Sequence, residues 1–527
     1  MLEKALHKLE SLPDQLEDAE LQSELWMQLR DLTAIHRAYA DAEWAMPTVH
    51  LDRLEAILVN LAPTDPIKQH QWLFRHHPQL STKFESYQIR RQELEQRRVD
   101  AIQEILVTGG INMLFDFAES VETPSDVGRA LFSANSDPDV TREIVAALGQ
   151  EGPRKLLAQG FICKAVRAEG NVWTTEYLSA ETLEKWNAET RASALLCLPF
   201  ETATLNLVDS FDERTQRHYW HRINHVFTDE PDDFHRAIRS LIQYDRPRKA
   251  LDELAMHSYD AQMPLDIQTV QQALYLSLTV SLENDPTRIS DYDAERLLTY
   301  LRSHPDLDKE VLEQLEWYYL PLLGPEHGQL RLHERLNTDP AFFVEVVGLE
   351  FKRDTQKEPS SVGPEDARRA CHLLDSWHRV PGMQEDGALD EAYLKDWVQQ
   401  AITLLEERES VKGGLIAIGR MLRWGPGERD GVWPAPVICD IIQELSSDLV
   451  DDHFQGAVYN SRGITSRGPF DGGEQERQLA KQYEDYAMKL DAKWPRVTAI
   501  LRQLAAGYRS EAKRHDHEAE RDEDNIG

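Results

Sequence analysis

Apolar residues recur at steps of three and four along almost the whole chain, and this periodicity restricts the fold more than any other feature. Between residues 17 and 43, the residues that share one helix face are Leu21, Leu25, Leu29, Leu32 and Ile35. Similar spacing continues over 51–61 and over the more charged segment 82–106, which stops at Gly109-Gly110. Proline and glycine stand where helices should begin or end. The sequence therefore predicts an all-α protein.

From about residue 123 the predicted helices become shorter and are joined by brief Asp, Pro and Gly turns. Several starts combine a capping residue with proline in the first turn, as at Asp137-Pro138 and Asp339-Pro340. The segments 233–244 and 247–257 predict one helical hairpin. Pairs of this size do not bury their apolar faces alone, so we expect degenerate helical-hairpin repeats stacked as an α-solenoid.

The last helices show the clearest pattern, with apolar residues at i, i+4, i+7 and i+11 in both 479–490 and 497–508. Trp494-Pro495 separates them, which predicts an antiparallel helix pair that caps the array. We expect five regions: an N-terminal helical region (1–120), a short-helix region (121–205), helical-hairpin repeats (206–360), C-terminal helical repeats with a Gly/Arg loop and the capping pair (361–510), and a charged, disordered tail (511–527).

One stretch allows a different interpretation. After helices at 124–134 and 138–149, residues 161–167 and 172–177 alternate enough to form a β-hairpin. Helix, helix and hairpin is the order of a winged-helix DNA-binding domain, which would occupy 124–177. The alternative is one continuous helix from Pro153 to Ala168, and the basic residues here are few: Arg154, Lys155, Lys164 and Arg167.

The charge balance restricts the partners. The chain has 58 basic and 92 acidic residues, a formal net charge of −34, which repels nucleic-acid backbones and anionic lipid. No apolar run approaches the ~20 residues that span a bilayer. The four cysteines, Cys163, Cys197, Cys371 and Cys439, lie far apart without a CxxC pair, as is typical of a reducing compartment. We expect a cytoplasmic protein that makes no direct contact with membrane or nucleic acid.

The sequence contains no Walker A, GxGxxG, GxSxG or HExxH motif. His218, His221 and His225 would share one side of a helix and could meet one metal ion, as in a metal-dependent hydrolase. A helical wheel of the same segment places the aromatic residues Tyr219, Trp220 and Phe227 on the opposite side, which would face the core. The histidines therefore fit a solvent-facing side better, and we expect a non-enzyme without metal or cofactor.

The most distinctive loop is 454–477, which contains five glycines and three arginines. Arginines beside a glycine-rich turn and a helix start could hold a phosphate, a carboxylate or a protein partner. The candidate binding residues are Arg462, Arg467, Gly472, Gly473 and Arg477. The alternative is an ordered structural loop. Arg90-Arg91 and Arg97-Arg98 alternate with acidic residues, which predicts salt-bridged surface rather than a binding stripe.

Several strings carry a resemblance, among them PTDPIKQHQWLF, DRPRKALDEL and LNTDPAFFVEVV. They resemble the C-terminal helical-repeat region of very long bacterial proteins similar to anti-phage and stress-defence machinery, in which a nucleotide-binding or effector module comes first. The resemblance covers roughly 20–520, implies helix at 153–168 and implies no catalytic residue. No such module precedes the repeats here, so the effector would be a separate protein or part of a longer product.

These observations favour a non-catalytic, protein-binding scaffold or sensor arm in a bacterial defence system. Its partner would be an NTPase or nuclease effector, or a phage protein. The alternatives are a nucleic-acid-binding regulator with a winged helix at 124–177 and, third, a metal-dependent hydrolase built on the three histidines.

Overall fold

A computed structural model describes residues 2–11, 18–84, 86–260, 262–304, 307–323, 329–354, 362–427, 431–463, 466, 468, 471–490 and 493–526. These residues form 27 α-helices that make up 71% of the chain, and no β-strand occurs among them. The all-α prediction is therefore confirmed. The chain divides into two compact units, Met1–Arg246 and Pro247–Gly527. None of the helices in the described ranges is both long and apolar enough to cross a membrane.

The first unit contains α1 (Leu2–Ser11), α2 (Ala19–Ala38), α3 (Thr48–Leu61), α4 (Pro66–His70), α5 (Tyr87–Glu119), α6 (Pro124–Ala134), α7 (Pro138–Ala147), α8 (Pro153–Glu169), α9 (Asn171–Tyr177), α10 (Ala180–Glu184), α11 (Ala188–Leu195), α12 (Thr202–Asp209), α13 (Glu213–Arg222) and α14 (Pro231–Gln243). A 3₁₀ turn, Gln71–Phe74, follows α4. Helix α5 is kinked at Gly110, whose φ is 64°.

The second unit contains α15 (Pro247–His257), α16 (Ile267–Ser277), α17 (Asp291–Arg302), α18 (Lys309–Tyr319), α19 (Arg331–Thr338), α20 (Pro340–Glu350), α21 (Pro364–Asp375), α22 (Glu391–Glu407), α23 (Val411–Leu422), α24 (Pro436–Leu445), α25 (Asp448–Asn460), α26 (Glu474–Leu490) and α27 (Pro495–Ile526). A 3₁₀ turn, Leu320–Leu322, follows α18.

Capping chemistry places many of these helices where the sequence predicts them. The Asp137 carboxylate accepts the Asp139 N–H at 2.8 Å, and Asp339 does the same for Ala341 at 3.0 Å. In both helices proline occupies the first turn, where a missing N–H removes no hydrogen bond. The predicted pair 233–244 and 247–257 falls on the two sides of the division between the units.

The winged-helix interpretation is wrong, because residues 153–177 form α8 and α9 and no β-hairpin. The apolar residues of α8 lie on one buried helix face: Leu157, Ala158, Phe161, Ile162, Ala165 and Val166. Gly170, with a φ of 58°, separates the two helices. The short alternation around residue 161 belongs to a longer helical period, and burial of that face outweighs it.

The C-terminal helix continues further than the sequence suggests. Helix α27 packs against α26 and runs to Ile526, so it includes the charged segment that we expected to be disordered. Local ion pairs at helical spacing support this extension, for example His515 to Glu518 at 2.8 Å. Val497, Leu501, Leu504 and Tyr508 are buried, as their spacing predicts.

Helices α6 and α8 cross with their backbones in contact. A Cβ atom on Gly128 would lie 1.9 Å from the carbonyl oxygen of Leu157, and one on Gly160 would lie 2.0 Å from that of Ser125. Real Cβ atoms do not approach a backbone oxygen so closely, so only glycine fits at these two positions. Helix α8 thus packs closely on α6, and it also contacts α5.

We expect Gly160→Ala to destabilise the protein by about 1–3 kcal/mol, because the new methyl group must push two backbones apart. Gly507→Ala is the matched control, since a Cβ there meets nothing within 4 Å on an exposed position of α27. The control should be neutral or stabilising by up to about 1 kcal/mol. Thermal unfolding followed by circular dichroism measures both, and equal melting temperatures for the two variants would contradict the close crossing.

A buried carboxylate joins three helices of the second unit. Glu316 on α18 is fully buried and accepts the Leu332 N–H at the start of α19, at 3.1 Å. Its other oxygen lies 3.1 Å from Nε of Arg302, at the end of α17. Burial raises the pKa of Glu316 to about 7, although the charge of Arg302 opposes the shift.

A raised carboxyl pKa means that the folded protein holds a proton which the unfolded chain releases. The stabilisation from this proton is complete below about pH 4.5 and is lost as the pH rises towards 7. We expect wild type to lose about 2 kcal/mol relative to Glu316→Gln between pH 5 and pH 7, measured by urea unfolding. Glu310→Gln, an exposed position on the same helix, is the control. Parallel stability curves for wild type and Glu316→Gln would contradict this assignment.

Candidate functional site

In the predicted loop, Arg462 lies against carboxylates of its own chain. Its guanidinium pairs with Glu476, which is fully buried at the start of α26, and lies 3.7 Å from Glu511 on α27. Arg467 falls outside the described residues. The Arg462 side chain is only 17% exposed, so it joins α26 and α27 and presents little charge to solvent.

The candidate binding groups at the predicted helix start also contact a carboxylate of the same chain. The Gly473 N–H donates to Asp516 of α27 at 2.8 Å, and Nη1 of Arg477 lies 2.8 Å from the same carboxylate. The Gly473 N–H, followed by Arg477, lowers the pKa of Asp516. A Cβ on Gly472 would lie 2.5 Å from Asp516, and one on Gly473 would lie 2.2 Å from Ala512. An external anion would therefore have to displace Asp516, and this geometry favours a structural loop.

The three histidines are not brought together on one helix. Helix α13 ends at Arg222, so His225 lies beyond it, and the described part of the chain contains no cluster of three or more metal-ligating side chains. Tyr219 and Trp220 are buried as predicted. Phe227 is 74% exposed, contrary to the helical wheel, because the helix stops before it.

A cavity lined by many charged side chains lies in the first unit, between α5, α6 and α8, beside the turn at His76-His77-Pro78. Its volume is about 590 Å³. Six cationic side chains line it: Arg90, Arg91, Arg98, Arg129, Lys164 and Arg167. Among the described residues, two carboxylates, Glu95 and Asp126, line it with them. We call this the basic cavity. Its excess of four positive charges stands in a chain whose formal net charge is −34.

Two of the arginines donate hydrogen bonds to backbone carbonyl oxygens, and one of them also pairs with a carboxylate. Nε of Arg98 donates to the Leu73 carbonyl at 2.9 Å, and its Nη1 lies 3.0 Å from Asp126. Arg90 donates to the carbonyl of Pro78 at 3.0 Å. Carbonyl acceptors orient a guanidinium without neutralising it, so Arg90 keeps its positive charge towards the cavity.

Helices α6 and α8 supply the remaining cations of the opposite wall. Nε of Arg129 lies 3.0 Å from Asp126, and the Arg129 side chain is half exposed. Burial alone would raise the pKa of Asp126, but Arg98 and Arg129 hold this pKa below its usual value. Lys164 and Arg167 are one helical turn apart on α8 and make no hydrogen bond or ion pair with any residue in the described ranges. They are the cations most available to a ligand.

The spacing of the basic residues along the sequence does not predict the basic cavity. Arg91 pairs with Glu95 and Arg97 with Glu93, both at i, i+4, as the predicted salt-bridged surface requires. Arg90 and Arg98 do not follow this pattern, because their partners come from the turn before α5 and from α6. The alternation along α5 showed where charges would pair locally, whereas the cavity depends on α6 and α8.

Comparison with known proteins identifies no relative. No model of a known protein family matches the chain, and neither the curated proteins nor the solved structures contain a match. The resemblance to bacterial defence proteins therefore stays a prediction.

The two described arginines of the loop should differ strongly in their effect on stability. We expect Arg462→Ala to cost about 3 kcal/mol, because it removes a positive charge that pairs with the buried Glu476. Arg477→Ala should change stability little, since its side chain is 47% exposed and water replaces the lost contacts. Chemical unfolding measures both variants. An unchanged stability of Arg462→Ala would show that Arg462 is free to serve as a binding residue.

Proposed function

We propose that this protein is a non-catalytic helical scaffold or sensor that binds a phosphate-bearing small molecule in the basic cavity. One observation carries the proposal: six cations converge on a single cavity against two carboxylates, within a strongly acidic chain. Such a concentration costs electrostatic repulsion among the cations when the cavity is empty, and a bound anion would remove that cost.

The chemistry of the lining suits phosphate. Guanidinium groups form paired, charge-assisted hydrogen bonds with phosphate oxygens, and lysine adds a mobile point charge. Arg90 and Arg98 lie on α5, Arg129 lies on α6, and Lys164 and Arg167 lie on α8, so the cations come from three helices. A cavity of about 590 Å³ lies within the usual size range for sites that hold small molecules and cofactors.

A small ligand fits better than an extended nucleic acid. The net charge of −34 repels a long polyanion, while Lys164 and Arg167, which make no ion pair with a described residue, line one cavity. Two further basic residues of α8 are neutralised: Arg154 lies 2.7 Å from Glu119, and Lys155 lies 2.9 Å from Glu189. No winged helix is present in 124–177 to read DNA.

The protein would act as a sensor if a second protein recognised its ligand-bound state. Filling the cavity would remove the repulsion between α5 and α8 and would favour a tighter arrangement of these helices. The resemblance suggests a bacterial defence system, in which this second protein would be a separate NTPase or nuclease effector.

The test is isothermal titration of the intact chain with sodium tripolyphosphate and, separately, with ATP at low salt. We expect saturable binding of one or both. The double variant Lys164→Glu/Arg167→Glu should lower the affinity at least about tenfold, because each charge-assisted hydrogen bond contributes about 1.5 kcal/mol or more.

Lys412→Glu/Lys513→Glu is the matched control, because it changes the net charge equally at two exposed positions outside the cavity. It should keep wild-type affinity. Three results would overturn the proposal: no binding of either probe, equal weakening by both double variants, or binding of a single-stranded 20-mer DNA but of neither probe. The last result would favour a nucleic-acid-binding function.

A further inference from the structure

The fold brings together two of the four cysteines. Cys163 lies on α8 with an exposed side chain, and Cys197 is buried in the turn that follows α11. They are far apart in sequence, and no spacing motif connects them. Helices α8 and α11 pack against each other in the first unit, and this contact places the turn against the side of α8.

The sulfur of Cys197 faces the α8 turn that carries Cys163. Cys197 Sγ lies 3.8 Å from the carbonyl oxygen of Gln159, which is one helical turn before Cys163 and therefore on the same side of α8. It also lies 3.4 Å from the Ser193 carbonyl. Cys163 and Cys197 therefore lie beside each other across the contact between α8 and the turn.

The surroundings make the two sulfurs chemically different. The interaction with Cys197 lowers the pKa of Cys163, although partial burial opposes this shift, and the charges of Arg129 and Arg167 also lower it. The same interaction, together with full burial, raises the pKa of Cys197. Cys163 is thus the exposed, more acidic sulfur, and Cys197 is the protonated sulfur beside it.

We propose that Cys163 and Cys197 are an oxidant-sensitive thiol pair, in which a peroxide oxidises Cys163 and Cys197 then closes a disulfide between α8 and the turn after α11. The Cys163 thiolate attacks one oxygen of hydrogen peroxide, the O–O bond breaks, and sulfenic acid and hydroxide form; the proton that the thiol released converts the hydroxide to water. The Cys197 sulfur then attacks the sulfenic sulfur, the S–O bond breaks, and a second water leaves with the Cys197 proton. Two thiols and one peroxide give one disulfide and two waters.

The remaining cysteines are internal controls for this chemistry. Burial and the nearby carboxylates of Glu350 and Asp375 raise the pKa of Cys371 to about 11, which disfavours its thiolate. Cys439 is fully buried on α24. Thiolate fraction and exposure govern cysteine oxidation, so neither should compete with Cys163.

The experiment treats the reduced, intact chain with a small excess of hydrogen peroxide, blocks free thiols with N-ethylmaleimide, and maps peptides by mass spectrometry without reduction. We expect a crosslinked peptide pair containing Cys163 and Cys197, which dithiothreitol separates. In Cys197→Ser, Cys163 should instead accumulate as sulfenic acid that dimedone captures. In Cys163→Ser, Cys197 should stay reduced.

A second measurement does not depend on the folding of any variant. In the wild-type chain, iodoacetamide should alkylate Cys163 at least about tenfold faster than Cys371 at pH 7. The proposal is overturned if no Cys163–Cys197 peptide forms while Cys163 is oxidised, or if Cys163 reacts no faster than Cys371. Equal sulfenic acid in wild type and in Cys197→Ser would also overturn it, because Cys197 would then not resolve the intermediate.

Discussion

The backbone contact between α6 and α8 is the constraint on which the rest of the first unit's chemistry depends. Gly128 and Gly160 allow this contact, because any side chain there would meet a carbonyl oxygen at about 2 Å. The buried face of α8 runs from Leu157 to Val166, and the C-terminal half of the same helix carries Cys163, Lys164 and Arg167. One close crossing thus positions both the basic cavity and the thiol pair.

Net charge is a poor guide to a local site in this protein. A net charge of −34 determines the electrostatic potential far from the surface, and this potential disfavours binding of long polyanions. Salt screens charges that lie more than about 8–10 Å away, so in the proposed function the six cations that line the cavity would determine which ligand binds there. An acidic exterior around a basic cavity would favour small, highly charged anions over polymers, since a small anion has little charge left outside the cavity.

The sequence predicts what depends on neighbours along the chain and fails where the partner is distant. Helical periodicity and the Asp-Pro caps predict α7 and α20, because three or four adjacent residues decide each helix start. The pairing of Arg91 with Glu95 is equally local. The proximity of Cys163 to Cys197 has no such signal, because it follows from packing of α8 against α11.

Loop 454–477 shows that a local pattern can indicate an anion without identifying it. Glycines and arginines at a helix start do indicate an anion, and the anion is present, but it is Asp516 from the charged end of α27. That segment is too polar for hydrophobic periodicity to predict its order. Its interaction with Gly473 and Arg477 could be seen only once α26 and α27 were packed together.

The two proposals meet at Arg129 and Arg167. Both residues line the basic cavity, and both lower the pKa of Cys163. A bound phosphate would neutralise part of their charge, so the Cys163 thiolate would lose stabilisation and its pKa would rise towards the ordinary value. By linkage the effect is reciprocal, since a thiolate at Cys163 reduces the positive potential that attracts the phosphate. A disulfide carries no charge, so oxidation would remove this competition and leave the cavity with its full positive potential.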